Sequence, residues 1–173
     1  MTYKFHGTNG AEGFGLEEVK LSDLYQELIL DHNRRPRNFK KLEDANAYAH
    51  GHNPLCGDDY FLYLVVDEGG IIKRVGFEGD GCAISKSSAS MMTTTVEGKS
   101  VQEAGALKDN FVHLLTDNAV SEAMRAGAGK LKIFEGVKQF PVRVKCATLI
   151  WRTLEEALKD RSERKEEVST EKE

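Results

Sequence analysis

The stretch YFLYLVVDEGGIIKRVGFEG, Tyr60 to Gly79, is where the sheet of this chain is read. Tyr60 to Asp67 is dense in aromatic and β-branched residues, Gly69-Gly70 supplies a turn, and Ile71 to Gly79 puts Val75 and Phe77 on one face. That pattern predicts a β-hairpin. Working downstream, the run GDGCAISKSSASMMTTTVEG ends the second strand, and Ile84, Ser88, Met91 and Met92 then recur at helical spacing to about Val96. Cys82 therefore falls at a helix N-terminus. Ser100 and Glu103 form an S-x-x-E capping box that starts another helix at Val101, with a further helical stretch around Phe111 to Leu115. Gly127 and Gly129 loosen the chain. Pro141 then opens a last helix, in which Val142, Cys146, Leu149, Leu154 and Leu158 trace an apolar stripe to which Trp151 adds bulk.

Upstream of the hairpin, Ser22 is a candidate N-cap for a helix in which Leu24 pairs with Leu28 and Tyr25 with Ile29. Pro36 stops it. The following loop concentrates Arg34, Arg35, Arg37, Lys40 and Lys41 in one basic patch, read either as a solvated loop or as a partner-docking site. Residues 1–20 are Gly-rich and without period, so they read as a loose arm; residues 21–160 read as one globular domain, and 161–173 as a charged tail that is disordered or a frayed helical extension.

With 173 residues, 40% hydrophobic and 30% charged, the chain is long enough for one proper core. Net charge is −4, from 24 basic against 28 acidic side chains, which gives no global pull toward nucleic acid or an anionic membrane. Neither a signal-peptide pattern nor a run of roughly 20 apolar residues is present, so the expected location is the cytoplasm. Three cysteines are too few for a disulfide framework, and in a reducing compartment they would be thiols or metal ligands.

The segment NPLCGDD, Asn53 to Asp59, sets Cys56 in a polar turn beside two carboxylates. Cys82 and Cys146 lie near helix N-termini, where partial positive charge favours thiolate. Cys56, Cys82, Cys146 and an oxygen of Asp58 would together satisfy a tetrahedral zinc ion. Positions 56, 82 and 146 match no compact C-x-x-C finger, however, and spacing alone leaves burial as small hydrophobes open, above all for Cys146 on its apolar stripe. His50 and His52 are alternative ligands or solvated loop histidines, and His113 reads as a satisfied core histidine. Gly57, lacking a side chain, would let backbone approach whatever the Cys56 sulfur binds.

Taken in order, LYQELILDHNRRPRNF, GHNPLCGDD, GDGCAISKSSASMM and PVRVKCATLIWRTLEEAL resemble the SufU and IscU-like family of iron–sulfur cluster assembly proteins, over roughly Leu21 to Lys159. The resemblance implies an α+β fold, a small antiparallel sheet packed against helices. It also implies that Cys56, Asp58, Cys82 and Cys146 converge on one exposed metal site. Two departures favour the SufU branch: Lys145 stands where IscU scaffolds carry a histidine, in FPVRVKC rather than an LPPVK segment, and the extra helical stretch from Ser100 to about Asp117 lengthens the chain between Cys82 and Cys146.

That branch implies a zinc-dependent sulfurtransferase in which Cys56 accepts persulfide sulfur from a SufS-type cysteine desulfurase and other SUF assembly proteins receive it. The alternative is a non-enzymatic scaffold carrying iron or a [2Fe–2S] cluster on the same ligands. Lys145 is either an auxiliary cation beside Cys146 or a solvated lysine at a helix start.

Overall fold

The computed structural model describes residues 25–159 and 168–170. The expected N-cap at Ser22 and the N-terminal arm lie outside the described residues. Helix α1 spans residues 25–34 and ends just before Pro36. There follow β1 (Ala47–Asn53), β2 (Asp58–Val66), β3 (Ile72–Asp80), α2 (Ala83–Val96), α3 (Val101–Thr116), α4 (Glu122–Ala128), a 3-10 run over Gly129–Gln139, α5 (Pro141–Ala157) and β4 (Val168–Ser169).

The sheet has the order β3-β2-β1-β4. Strands β2 and β3 pair antiparallel as the expected hairpin, with Leu62 opposite Phe77 and Tyr60 opposite Gly79. Strand β1, which the sequence reading left as loop, pairs antiparallel with β2, bringing Asn53 opposite Asp58 and His52 opposite Asp59. The period-2 alternation of a strand sends neighbouring side chains to opposite faces. Ala47, Ala49, Tyr60, Leu62, Leu64, Val75 and Phe77 point inward and are buried, while Tyr48 and Phe61 face outward.

Helices α2 and α5 cover the inner face. Trp151 on α5 is wholly buried, stacks on Phe111 of α3 at 4.9 Å between ring centroids, and donates from Nε1 to Ser88 Oγ at 3.3 Å. Ser88 passes the bond on to the Ala147 carbonyl at 2.6 Å, pinning α2 to α5. Met91 and Met92 are core, as their spacing predicts. Gly51 explains how closely β1 lies on α5: a Cβ there would run into the Thr153 hydroxyl.

Helix α3 carries its full capping box, Glu103 N to Ser100 Oγ at 3.1 Å and Ser100 N to Glu103 Oε2 at 2.8 Å, and continues unbroken to Thr116 rather than as two stretches. His113 differs from its expectation: it is exposed and bonds Asp117 at 3.0 Å, because its position falls on the outer side of α3 while Phe111, Leu114 and Leu115 face the core. Within the charged tail, Val168–Ser169 add a short strand parallel to β1, pairing with Gly51 and His52, where the sequence reading expects disorder or helix. A strand edge needs only donors and acceptors on its neighbour, so two or three residues can dock without an apolar signature in the sequence.

Candidate metal centre

The site forms where three separate pieces of chain meet at one end of the inner layer. The turn after β1 is closed by the Gly57 amide donating to the Asn53 carbonyl at 2.9 Å. Gly57 has φ 71°, and a Cβ there would meet nothing within 4 Å. The glycine at this position serves the left-handed turn, which other residues adopt at a cost. The turn leaves Cys56 half-buried, with Leu55 exposed beside it.

Strand β2 then starts with Asp58 buried and inward and Asp59 outward. Cys56 Sγ, an Asp58 carboxylate oxygen and Cys146 Sγ all lie within 4.8 Å of one another, and the two sulfurs are 2.9 Å apart. Cys82 borders this trio: its backbone N–H donates to Asp58 Oδ1 at 2.9 Å, and its sulfur takes a hydrogen bond from Cys146.

Burying a carboxylate costs several kcal/mol unless donors replace its water. Asp58 has three: the Cys82 N–H, the Ser85 hydroxyl at 2.8 Å on Oδ1, and the Asn53 amide at 3.1 Å on Oδ2. Each such charge-assisted bond contributes about 1.5–3 kcal/mol, enough together to hold the anion in place. Tyr60, kept protonated by burial, bonds Ser85 Oγ at 3.1 Å from the far side.

The thiols are unequal. Cys82 is the N-cap of α2, with the Ser85 N–H reaching its sulfur at 3.4 Å. Its pKa is lowered to about 6, first by the hydrogen bond that Cys146 donates and then by the Ser85 backbone N–H, against the opposing effect of burial. Cys146, completely buried in the second turn of α5, is raised by that same bond, then by its burial and its contact with Cys56. Cys82 therefore ionises before Cys146. In metal-free protein, alkylation of Cys82 should stay fast at neutral pH and fall as pH drops through about 6, followed by mass spectrometry of the modified peptide. A midpoint near the ordinary cysteine value of ~8.5 would refute this ordering.

The cation at the sulfurs is Arg143, which the sequence reading passed over. Its pKa is raised first by the charge of Cys82, then by a hydrogen bond with Cys146. The missed signal is helical spacing: position 143 lies one turn before Cys146 and shares its face, whereas position 145 is rotated by about 100°. Lys145 instead lines a neighbouring cavity with Lys138, Thr148 and Thr170.

His50 and His52 belong to β1 and not to a loop. Both turn outward to Asp59, at 2.7 Å and 3.4 Å, with His50 stacked on Phe61, so neither is among the residues gathered at the sulfurs. In the basic loop, Arg37 and Arg35 fold back on Asp31 at 2.6 Å and 3.7 Å.

One small α+β layer pair thus places two thiols and a carboxylate as a set of candidate metal donors, with a third thiol bordering it. The sequence profile of the NifU-like N terminal domain matches residues 24–147, and the chain belongs to that family. It is 37% identical over 140 residues to the zinc-dependent sulfurtransferase SufU of Bacillus subtilis, covering 81% of this chain and 92% of that one. It is 39% identical to the iron–sulfur cluster assembly scaffold protein IscU of Streptococcus pyogenes serotype M1, covering 81% and 86%. A crystal structure described as a putative iron–sulfur cluster assembly scaffold protein for the SUF system, from Fervidobacterium islandicum AW-1, superposes with a TM-score of 0.71 at 38% identity, over 77% of this chain and 95% of that one. These relatives bear out the α+β architecture and the SufU and IscU-like resemblance. Among the described residues, no helix is long and apolar enough to cross a membrane.

Proposed function

We propose that this chain is a zinc-dependent sulfur acceptor of iron–sulfur cluster assembly, taking persulfide sulfur from a cysteine desulfurase, with Cys56, Asp58, Cys82 and Cys146 as metal ligands and Cys56 as acceptor. The observation that carries the reading is the gathering of Cys56, Asp58 and Cys146 within 4.8 Å, bordered by Cys82, whose backbone N–H bonds Asp58. This donor set fits zinc, which takes sulfur and carboxylate ligands in a tetrahedron. Bound zinc would keep the thiols deprotonated without redox chemistry of its own.

The chain's residues divide the work. Cys146 and Asp58 are buried and fixed, whereas Cys56 sits half-buried on a turn and is the ligand able to leave when a partner's side chain takes its place. The freed Cys56 thiolate attacks the outer sulfur of the partner's persulfide. A new S–S bond forms at Cys56, the partner's S–S bond breaks, and the partner departs as a thiolate, so no external oxidant or reductant is needed. The guanidinium of Arg143, at the sulfurs, offsets the negative charge carried through this exchange.

The name of the Streptococcus relative supports a second reading, a scaffold on which a [2Fe–2S] cluster is built. Elemental analysis combined with anaerobic iron and sulfide reconstitution separates the two. The relay predicts about one zinc per chain, retained through reconstitution, and stimulation of a cysteine desulfurase. Visible cluster absorbance with displacement of zinc would favour the scaffold.

A further inference from the structure

We propose that Thr170, acting through Asn53, is a positioning residue of the metal centre, so that the carboxy-terminal strand β4 completes the site. Asn53, at the end of β1, is wholly buried, and its side-chain amide is saturated. Nδ2 donates to Asp58 Oδ2 at 3.1 Å and to Cys146 Sγ at 3.5 Å, while Oδ1 accepts from the Thr170 hydroxyl at 2.9 Å. The Asp58 carboxylate only accepts and the Thr170 hydroxyl donates, so the amide turns its nitrogen to Asp58 and its oxygen to Thr170.

Thr170 supplies the donor that this oxygen then requires. Without it, a buried carbonyl is left unsatisfied and the amide loses the contact that holds its rotamer. Thr170 is itself buried, at 3% exposure, and is fixed by its own backbone N–H donating to the His52 carbonyl at 3.2 Å, one step beyond the Val168 and Ser169 pairing with β1. Thr170 lies outside residues 24–147, the part that the family profile matches.

The role rests on the metal reading above. Groups that orient ligands from behind typically change metal affinity by about 10- to 100-fold when removed. In full-length zinc-loaded protein, Thr170→Val should release zinc to the chelating dye 4-(2-pyridylazo)resorcinol about tenfold faster than wild type. In the cobalt-substituted form it should shift the thiolate charge-transfer band, and Thr170→Ser should restore both properties. Zinc release within twofold of wild type, or equal losses of melting temperature with and without zinc at an unchanged release rate, would overturn the role.

A second measurement needs no variant. If docking of β4 strengthens zinc binding, zinc binding strengthens docking of β4, so zinc loading of the wild type should slow hydrogen exchange at the Thr170 amide. Equal exchange in the two forms would also overturn the role. A wild type that takes up no zinc would overturn the metal reading itself, and this role with it.

Discussion

Cys56→Ala is expected to lower sulfur uptake from a cysteine desulfurase by at least about 10²-fold, a modest figure against what removal of an attacking nucleophile costs elsewhere. The variant should still fold, because Cys56 lies half-buried on a turn whose closing bond, Gly57 N–H to the Asn53 carbonyl, involves only backbone. Asp58, Cys82 and Cys146 stay tied to one another in its absence. Zinc should therefore bind more weakly without disappearing. Mass-tagged sulfur transferred to the alanine variant at the wild-type rate would show that another thiol accepts it, and Cys82, whose thiol is lowered to about 6, would be the one to test.

Gly81→Ala should cut zinc affinity by about 10- to 100-fold while sparing the fold. A Cβ at position 81 would lie 2.5 Å from Ser85 Oγ and 2.6 Å from both Asp58 Oδ1 and the Tyr60 hydroxyl. All three atoms belong to the cradle of the buried carboxylate, so relief of the clash pulls apart the bonds that aim it. Gly81 does not have a positive φ, so alanine meets no backbone strain there, and overpacking of this kind costs about 1–3 kcal/mol. Chelator competition and thermal melting on the same sample separate the two effects. Gly57→Ala is the control: its cost is the positive φ alone, with open space around the added methyl. Unchanged zinc affinity in Gly81→Ala would mean that the Asp58 cradle does not govern the metal.

Much of this architecture was legible from local pattern. The alternation around Leu62 and Phe77, the S-x-x-E box at Ser100 and the proline at position 141 are short-range signals, and the structure has a hairpin, a capped helix and a Pro-started helix there. Strand β1 was missed because AYAHGHN is rich in alanine and glycine, which are poor strand formers; it is a strand because β2 offers it a partner and α5 needs small side chains close by. The cysteines and Asp58 carried a resemblance strong enough to place them together, whereas spacing alone left the question open. What stayed hidden was the support around them. Asn53, Ser85 and Thr170 are ordinary polar residues in sequence, and only tertiary pairing shows their polar atoms spent on Asp58 or on one another. Arg143, one turn before Cys146 on the same helix face, was visible only through helical phase.

Helix α5 is the last helix among the described residues, and it alone brings Cys146. As the chain leaves the ribosome, the β1–β2 turn, β2 and α2 bring out Cys56, Asp58 and Cys82 first, and Cys146 joins them only when α5 has emerged and docked. Newly made molecules thus pass through an interval in which two thiols are displayed before Cys146 has packed beside them, exposed to oxidants. A cell making this protein has reason to keep that interval short, and translation stalled before position 140 would leave a product with an open, unguarded pair of sulfurs.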